Sequence, residues 1–204
     1  TAAVVARYHD KQSADCVYCK KGVPETFGHL QCECDFFDEV RMVAHNIIAD
    51  LLVNEIGKRV KGALCFTDTV MGQLYPSCPG RLADLRPDGL IIDRERKMIR
   101  VIEFTWGIRD DPEEWMDKRA EKDNKYHGVR VWLQKKHKGY RVVQDTYIMG
   151  VLGTIDEEEW EQQLGAAGVP DKEFHDIKRR CVRGGVLALH EITTARRAAT
   201  KAMR

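Results

Sequence analysis

The chain lacks any apolar run approaching the ~18 residues of a membrane-spanning helix, so no membrane segment is expected. It also lacks a charged-then-apolar leader and begins at Thr1, which predicts a piece of a longer polypeptide whose neighbouring domains lie elsewhere. Internal repeats and low-complexity tracts are missing too. A strong net charge is missing as well: the formal charge is +1, which excludes a polycation wrapped in nucleic acid along its whole length. What remains is an ordinary globular composition, 43% hydrophobic and 32% charged over 204 residues. That length suits one main domain with a small appended module.

Cysteine is crowded at one end. Of seven cysteines, Cys16, Cys19, Cys32 and Cys34 fall within the first 34 residues beside His29. With no secretory signal, this favours a metal over disulfides and a reducing compartment, cytosol or nucleus. Cys16-x2-Cys19, then His29, then Cys34 forms a Cys-Cys-His-Cys set whose thiolates and imidazole suit tetrahedral Zn²⁺. Cys32 stands close enough to His29 to take the fourth place instead of Cys34. Four protein ligands leave no open position, so the zinc is expected to be structural or to help grip nucleic acid. Cys65, Cys78 and Cys181 read as buried apolar positions.

Charge is uneven at the other end. Between Lys178 and Arg204 the bases Lys178, Arg179, Arg180, Arg183, Arg196, Arg197, Lys201 and Arg204 face a single acid, Glu191. Such a tail suits phosphate contact, or a solvated helix face.

Between these ends, apolar residues at three- and four-residue intervals from Phe36 to Ile56 predict an amphipathic helix from Asp35 to about Lys58. A short strand is expected near Ala63 to Thr67. The stretch "PSCPG" reads as loop. Two strands, Gly89 to Asp93 and Met98 to Trp106, flank the charged turn "RERK". Asp110 and Asp111 before Pro112 supply an N-cap for a helix reaching about His137, with Gly139 as its stop. Tyr140 to Ile155 predicts one or two strands, Asp156 opens a helix, and two further helical stretches complete the chain.

The two hairpin strands carry an acid each. A turn centred between Glu95 and Arg96 places Asp88 opposite Glu103, and opposed residues share a sheet face. Two partly buried carboxylates that close repel unless a cation lies between them, and a hard ion with oxygen ligands, Mg²⁺ or Mn²⁺, is the natural one. The alternative is that both acids sit at exposed strand ends or pair with Arg86 and Arg100. Lys118, Lys122 and Lys125, at i, i+4 and i+7 of the following helix, bring ammonium groups toward the same place.

Together these residues resemble the PD-(D/E)xK nuclease superfamily, and more closely the restriction-like endonuclease domain at the C-terminal end of site-specific non-LTR retrotransposon proteins. The corresponding parts are the knuckle from Cys16 to Cys34, a helix with a His45-Asn46 pair, "RPD" at Arg86 to Asp88, Glu103 in "EFT", and "KDNKY" from Lys122 to Tyr126. Two places depart from the pattern. Thr105 stands where the superfamily usually has lysine, two residues after the second acid; in the retrotransposon branch the following helix supplies it, here Lys122 or Lys125. Ala44 precedes His45 where that branch often has arginine.

The resemblance implies an α/β fold, a restriction-endonuclease-like mixed sheet flanked by helices over residues 35–204, behind an N-terminal segment and zinc knuckle over residues 1–34. It implies a divalent-metal-dependent endonuclease that nicks double-stranded target DNA, leaving a 3′-hydroxyl for a reverse transcriptase domain of the same polyprotein to prime on element RNA in the nucleus. Asp88, Glu103 and the Phe104 carbonyl would bind Mg²⁺ or Mn²⁺, Lys122 or Lys125 would orient water, and Tyr126 would pack beside the cleaved strand. Arg86, Lys118, Arg179, Arg180 and Arg183 are the candidate nucleic-acid contacts. A catalytically inactive nuclease-like scaffold is the alternative.

Overall fold

The computed structural model describes residues 14–108 and 111–202; Asp110 and Arg204 of the readings above, and most of the segment before the knuckle, lie outside them. After an isolated bridge between Asp15 and Pro24, a π-helical turn (His29–Glu33) and a 3-10 turn (Asp35–Phe37) lead into helix α1 (Asp38–Gly57). There follow β1 (Leu64–Thr67), the short helices α2 (Met71–Leu74) and α3 (Gly80–Ala83), β2 (Gly89–Asp93), β3 (Met98–Gly107) and α4 (Pro112–Lys136). Strand β4 (Arg141–Gly150) and helices α5 (Glu157–Ala166) and α6 (Asp171–Ala202) complete the order.

The four strands form one mixed sheet in the order β1-β2-β3-β4. The first two pairings are antiparallel and the last is parallel, with α4 as the crossover that parallel neighbours require. In the β2–β3 hairpin Gly89 faces Ile102 and Leu90 faces Val101, the register that the charged turn predicts and that puts Asp88 beside Glu103.

Both faces are covered. On one side Ile91, Ile102, Phe104 and Trp106 pack against Ile48, Leu52, Val53 and Ile56 of α1 and against Ile177 and Cys181 of α6. On the other, Leu90, Ile92, Ile99 and Val101 pack against Tyr126, Val129 and Leu133 of α4. Burial on both faces explains why β2 and β3 read as continuous apolar runs. Gly89 lets α1 pack closely on the sheet: a Cβ there would lie 2.2 Å from Cγ2 of Val53.

A third, small core joins Cys16, Tyr18, Leu30, Cys34 and Phe37 to Ile192 of α6. Across that contact the Tyr18 hydroxyl donates to the Arg196 carbonyl at 3.2 Å, and Arg196 Nη2 lies 2.7 Å from Glu25 Oε1.

Three expectations need correction. The two separate helical stretches at the end of the chain are one helix, α6. Its Gly184 and Gly185 are packing sites rather than a break, since Cβ atoms there would meet Ile48 at 3.3 Å and Met149 at 3.2 Å. The "PSCPG" loop is bordered by two short helices, α2 and α3. Cys65 is exposed, because β1 is an edge strand; Cys78 and Cys181 are buried as expected. Among the described residues no helix is long and apolar enough to cross a membrane.

Candidate functional site

The candidate zinc knuckle is built by a turn over residues 17–19 and the π-helical turn His29–Glu33. Sulfur and nitrogen ligand atoms of Cys16, Cys19, His29 and Cys34 all lie within 4.8 Å of one another, and among the described residues no other set of three or more His, Cys, Asp or Glu groups does so. Cys16 Sγ and Cys34 Sγ are 3.8 Å apart, and Cys19 Sγ is 3.4 Å from His29 Nε2. A tetrahedron with Zn–S bonds of about 2.3 Å has S···S edges of about 3.8 Å and S···N edges of about 3.6 Å, so the cluster fits zinc. Cys34 belongs to it and Cys32 does not. The π-helical turn sets this choice: Cys34 N–H donates to the His29 carbonyl at 2.8 Å and folds Cys34 back to the imidazole.

The second site lies at the start of β2, beside the middle of β3. Asp88 precedes β2; its Oδ2 accepts from Phe104 N–H at 2.7 Å, while its own N–H donates to Glu103 Oε1 at 3.2 Å. Glu103 is fully buried, and its Oε2 takes Lys122 Nζ at 3.1 Å. Burial and the nearby Asp88 charge push the Glu103 carboxyl above its ordinary range, against the pull of Lys122. Buried Tyr126 donates its hydroxyl to the Arg86 carbonyl at 2.8 Å and so ties α4 to the loop carrying Asp88. Its own phenol is pushed up by burial and then by Glu103, which keeps it a donor.

Of the two candidate lysines, Lys122 reaches Glu103. Lys125 Nζ lies over the Tyr126 ring, 4.8 Å from its centroid. Thr105, two residues after Glu103, lines an open cleft together with Lys118, Lys122, Arg41, His45 and Gln31. The cleft thus runs between the knuckle, α1 and α4 and reaches His45 and Lys122, the side chains that contact Asp88 and Glu103.

Other candidate contacts are scattered. Arg86 pairs with Asp68, Arg179 with Asp176 at 2.7 Å, and Arg180 with Glu55 at 2.9 Å; Arg183 is exposed. Within the basic tail, buried Lys178 lies 3.1 Å from Glu157 and Arg196 is tied to Glu25, so part of that charge joins helices together rather than forming an open stripe.

The sequence pairs His45 with Asn46 only through the family resemblance, yet α1 brings His45 to the acid site. His45 Nε2 is 3.0 Å from the Phe104 carbonyl and 3.4 Å from Asp88 Oδ2. Burial pulls its pKa down, but the Asp88 carboxylate outweighs this and holds the imidazole above its ordinary value. The sequence offers only a polar His-Asn pair inside a helix, which does not say what the ring meets.

No protein-family model and no curated protein matches this chain. The site therefore rests on its geometry.

Proposed function

We propose that this domain is a divalent-metal-dependent DNA endonuclease with a PD-(D/E)xK core. The observation that carries the reading is the meeting of Asp88 before β2, Glu103 of β3 and Lys122 of α4, beside a cleft also lined by Lys118 and Arg41. Burial first, and then the Asp88 charge, raises the Glu103 pKa even with Lys122 beside it, and a cation at the two acids would offset both causes. Asp88, the Phe104 carbonyl and Glu103 offer the oxygen donors that Mg²⁺ or Mn²⁺ prefers. Such an ion, when bound, lowers the pKa of a water and neutralises charge at the scissile phosphate.

The protein's own groups do the rest. Lys122, held by Glu103, orients the attacking water or takes up charge developing on the phosphate oxygens. Water oxygen bonds to phosphorus, the P–O3′ bond breaks, and the products are a 5′-phosphate and a 3′-hydroxyl. Tyr126 fixes the Arg86–Asp88 loop, and Lys118 and Arg41 are placed to meet the DNA backbone in the cleft. The knuckle stiffens one wall of that cleft through Gln31 and Cys32. The 3′-hydroxyl suits priming by a reverse transcriptase domain of the same polyprotein on element RNA, in the nucleus.

The test is nicking of supercoiled plasmid by zinc-loaded protein with Mg²⁺ or Mn²⁺, compared with Asp88→Ala and Glu103→Ala. Nicking by the wild type and its loss in both variants is expected. A folded wild type that leaves linear, supercoiled and branched DNA intact with either ion overturns the nuclease reading in favour of a nucleic-acid-binding scaffold.

A further inference from the structure

We propose that a pocket at the far end of β2 from the acids binds single-stranded nucleic acid, one unpaired base lying against Tyr75, His137 and Tyr140 while its phosphates meet Arg94 and Lys136. The inference goes beyond the nuclease reading and does not depend on it.

The pocket, about 310 Å³ in volume, opens between edge strand β1, the end of β2, helix α2 and the turn that joins α4 to β4. Phe66, Ile92, Tyr75, His137 and Tyr140 line it together with exposed Arg94. Its volume is at the small end of ligand pockets, ~300 to 1,000 Å³, and suits one flat ring system. The His137 ring lies 5.6 Å from Tyr75 and 5.5 Å from Tyr140, at interplanar angles of 73° and 61°. Rings that meet edge to face leave part of each other uncovered, and all three are only half-buried, so aromatic surface is left for a flat guest. The Tyr75 hydroxyl, 3.0 Å from His137 Nε2, holds two of the rings in place. Burial and then Lys136 keep the His137 imidazole below its ordinary pKa, so near neutral pH it meets the guest as an uncharged ring.

The surrounding cations say what the guest carries. Lys136 Nζ lies over the Tyr75 ring at 5.6 Å and over Trp132 at 5.4 Å, which keeps an ammonium at the edge of the aromatic cluster. From Lys135 to Gln144 the chain has Lys135, Lys136, Lys138 and Arg141 and no acid. Lys97 joins them, because its carbonyl accepts from Arg141 N–H at 2.8 Å. Arg94 and Lys136 suffice for the phosphate of one nucleotide; the remaining cations suit a backbone that continues past the pocket. A duplex keeps its bases inside the stack and offers no free ring, so the occupant is an unpaired strand.

Asp88 and Arg94 are six residues apart along β2, about 20 Å at about 3.3 Å per residue, and Lys122 and His137 are separated by a similar length of α4. The pocket is therefore a second site and not an arm of the cleft.

The experiment measures fluorescence anisotropy of a short labelled oligothymidylate with the whole zinc-loaded chain and no Mg²⁺ or Mn²⁺. An abasic strand of the same length, a duplex and free thymidine monophosphate are compared. The proteins are wild type, Tyr140→Ala, Tyr140→Phe and Arg94→Gln, with zinc content and far-ultraviolet circular dichroism as folding checks. Wild type should bind the oligothymidylate at least about fivefold more tightly than the abasic strand. Tyr140→Ala should remove that difference and leave abasic binding within about twofold, while Tyr140→Phe keeps it. Arg94→Gln should weaken both strands and lower the salt slope of log affinity by about 0.7. Equal binding of the two strands by wild type, or oligothymidylate binding unchanged in Tyr140→Ala, overturns the base pocket. Equal binding of the duplex, or equally strong competition by the mononucleotide, overturns the unpaired strand as its occupant. Nicking plays no part in the readout, so each of these failures leaves the nuclease reading standing.

Discussion

Replacing Glu55 with glutamine removes one negative charge from α1 while keeping the side chain's size. Glu55 is 4% exposed, and its carboxylate meets Lys58 at 2.7 Å, Arg59 at 3.0 Å and, from α6, Arg180 at 2.9 Å. Burial alone would raise its pKa; the three cations outweigh burial and bring it down to about 2. Against an unfolded value of about 4.3, linkage gives about 3 kcal/mol of stabilisation at neutral pH. Lys58 is 65% and Arg180 44% exposed, so solvent screening trims this to about 2 kcal/mol. The folded pKa lies below the unfolded one. The stabilisation is therefore full above about pH 5 and is lost as pH falls toward 2. Urea unfolding of both proteins at pH 7, 5, 4 and 3 reads this directly. The wild type should exceed Glu55→Gln by about 2 kcal/mol at pH 7, and the gap should close on acidification. A gap that is absent at pH 7, or that persists unchanged to pH 3, refutes the ion-pair account of how α1 is held to α6.

Zinc content separates the two adjoining cysteines: Cys34→Ser should abolish stoichiometric zinc, and Cys32→Ser should retain one zinc per chain by elemental analysis. Stripping the metal with a strong chelator should expose the amides around Ile192 to hydrogen exchange while the β2–β3 hairpin stays protected, because the knuckle's core is shared with the end of α6. Gly89→Ala should cost about 1 to 3 kcal/mol in denaturant unfolding, since its methyl group would collide with Val53 of α1.

The hairpin was legible because a short charged turn fixes the register and the strands are bounded by recognisable turn residues. Helix α1 was legible from its spacing of Val40, Ala44, Ile48 and Leu52. The pairing of β3 with β4 was not, because parallel neighbours meet only after the whole of α4 and no local signal encodes that register. Gly184 and Gly185 obscured the continuity of α6, since a sequence does not reveal that a glycine serves close packing rather than a helix end. Spacing left Cys32 and Cys34 open because only the π-helical turn decides which thiol swings back to His29. Lys122 and Lys125 are less than one turn apart, so only the tilt of α4 against β3 selects Lys122 to meet Glu103. His45 needed the tertiary contact altogether: nothing in the α1 sequence says that its ring meets a carbonyl 59 residues away.

The shared core of the knuckle and α6 imposes an order of manufacture. A ribosome releases Cys16 to Cys34 well before it makes Ile192, Arg196 and Thr200, the residues that cover Tyr18 and Glu25. Early zinc capture can close the ligand ring, but the hydrophobic seat beneath it stays half-built until nearly the last turn of the final helix emerges. The knuckle, made before every strand of the sheet, is among the last parts to be finished, and a bound metal would hold its shape in the interval.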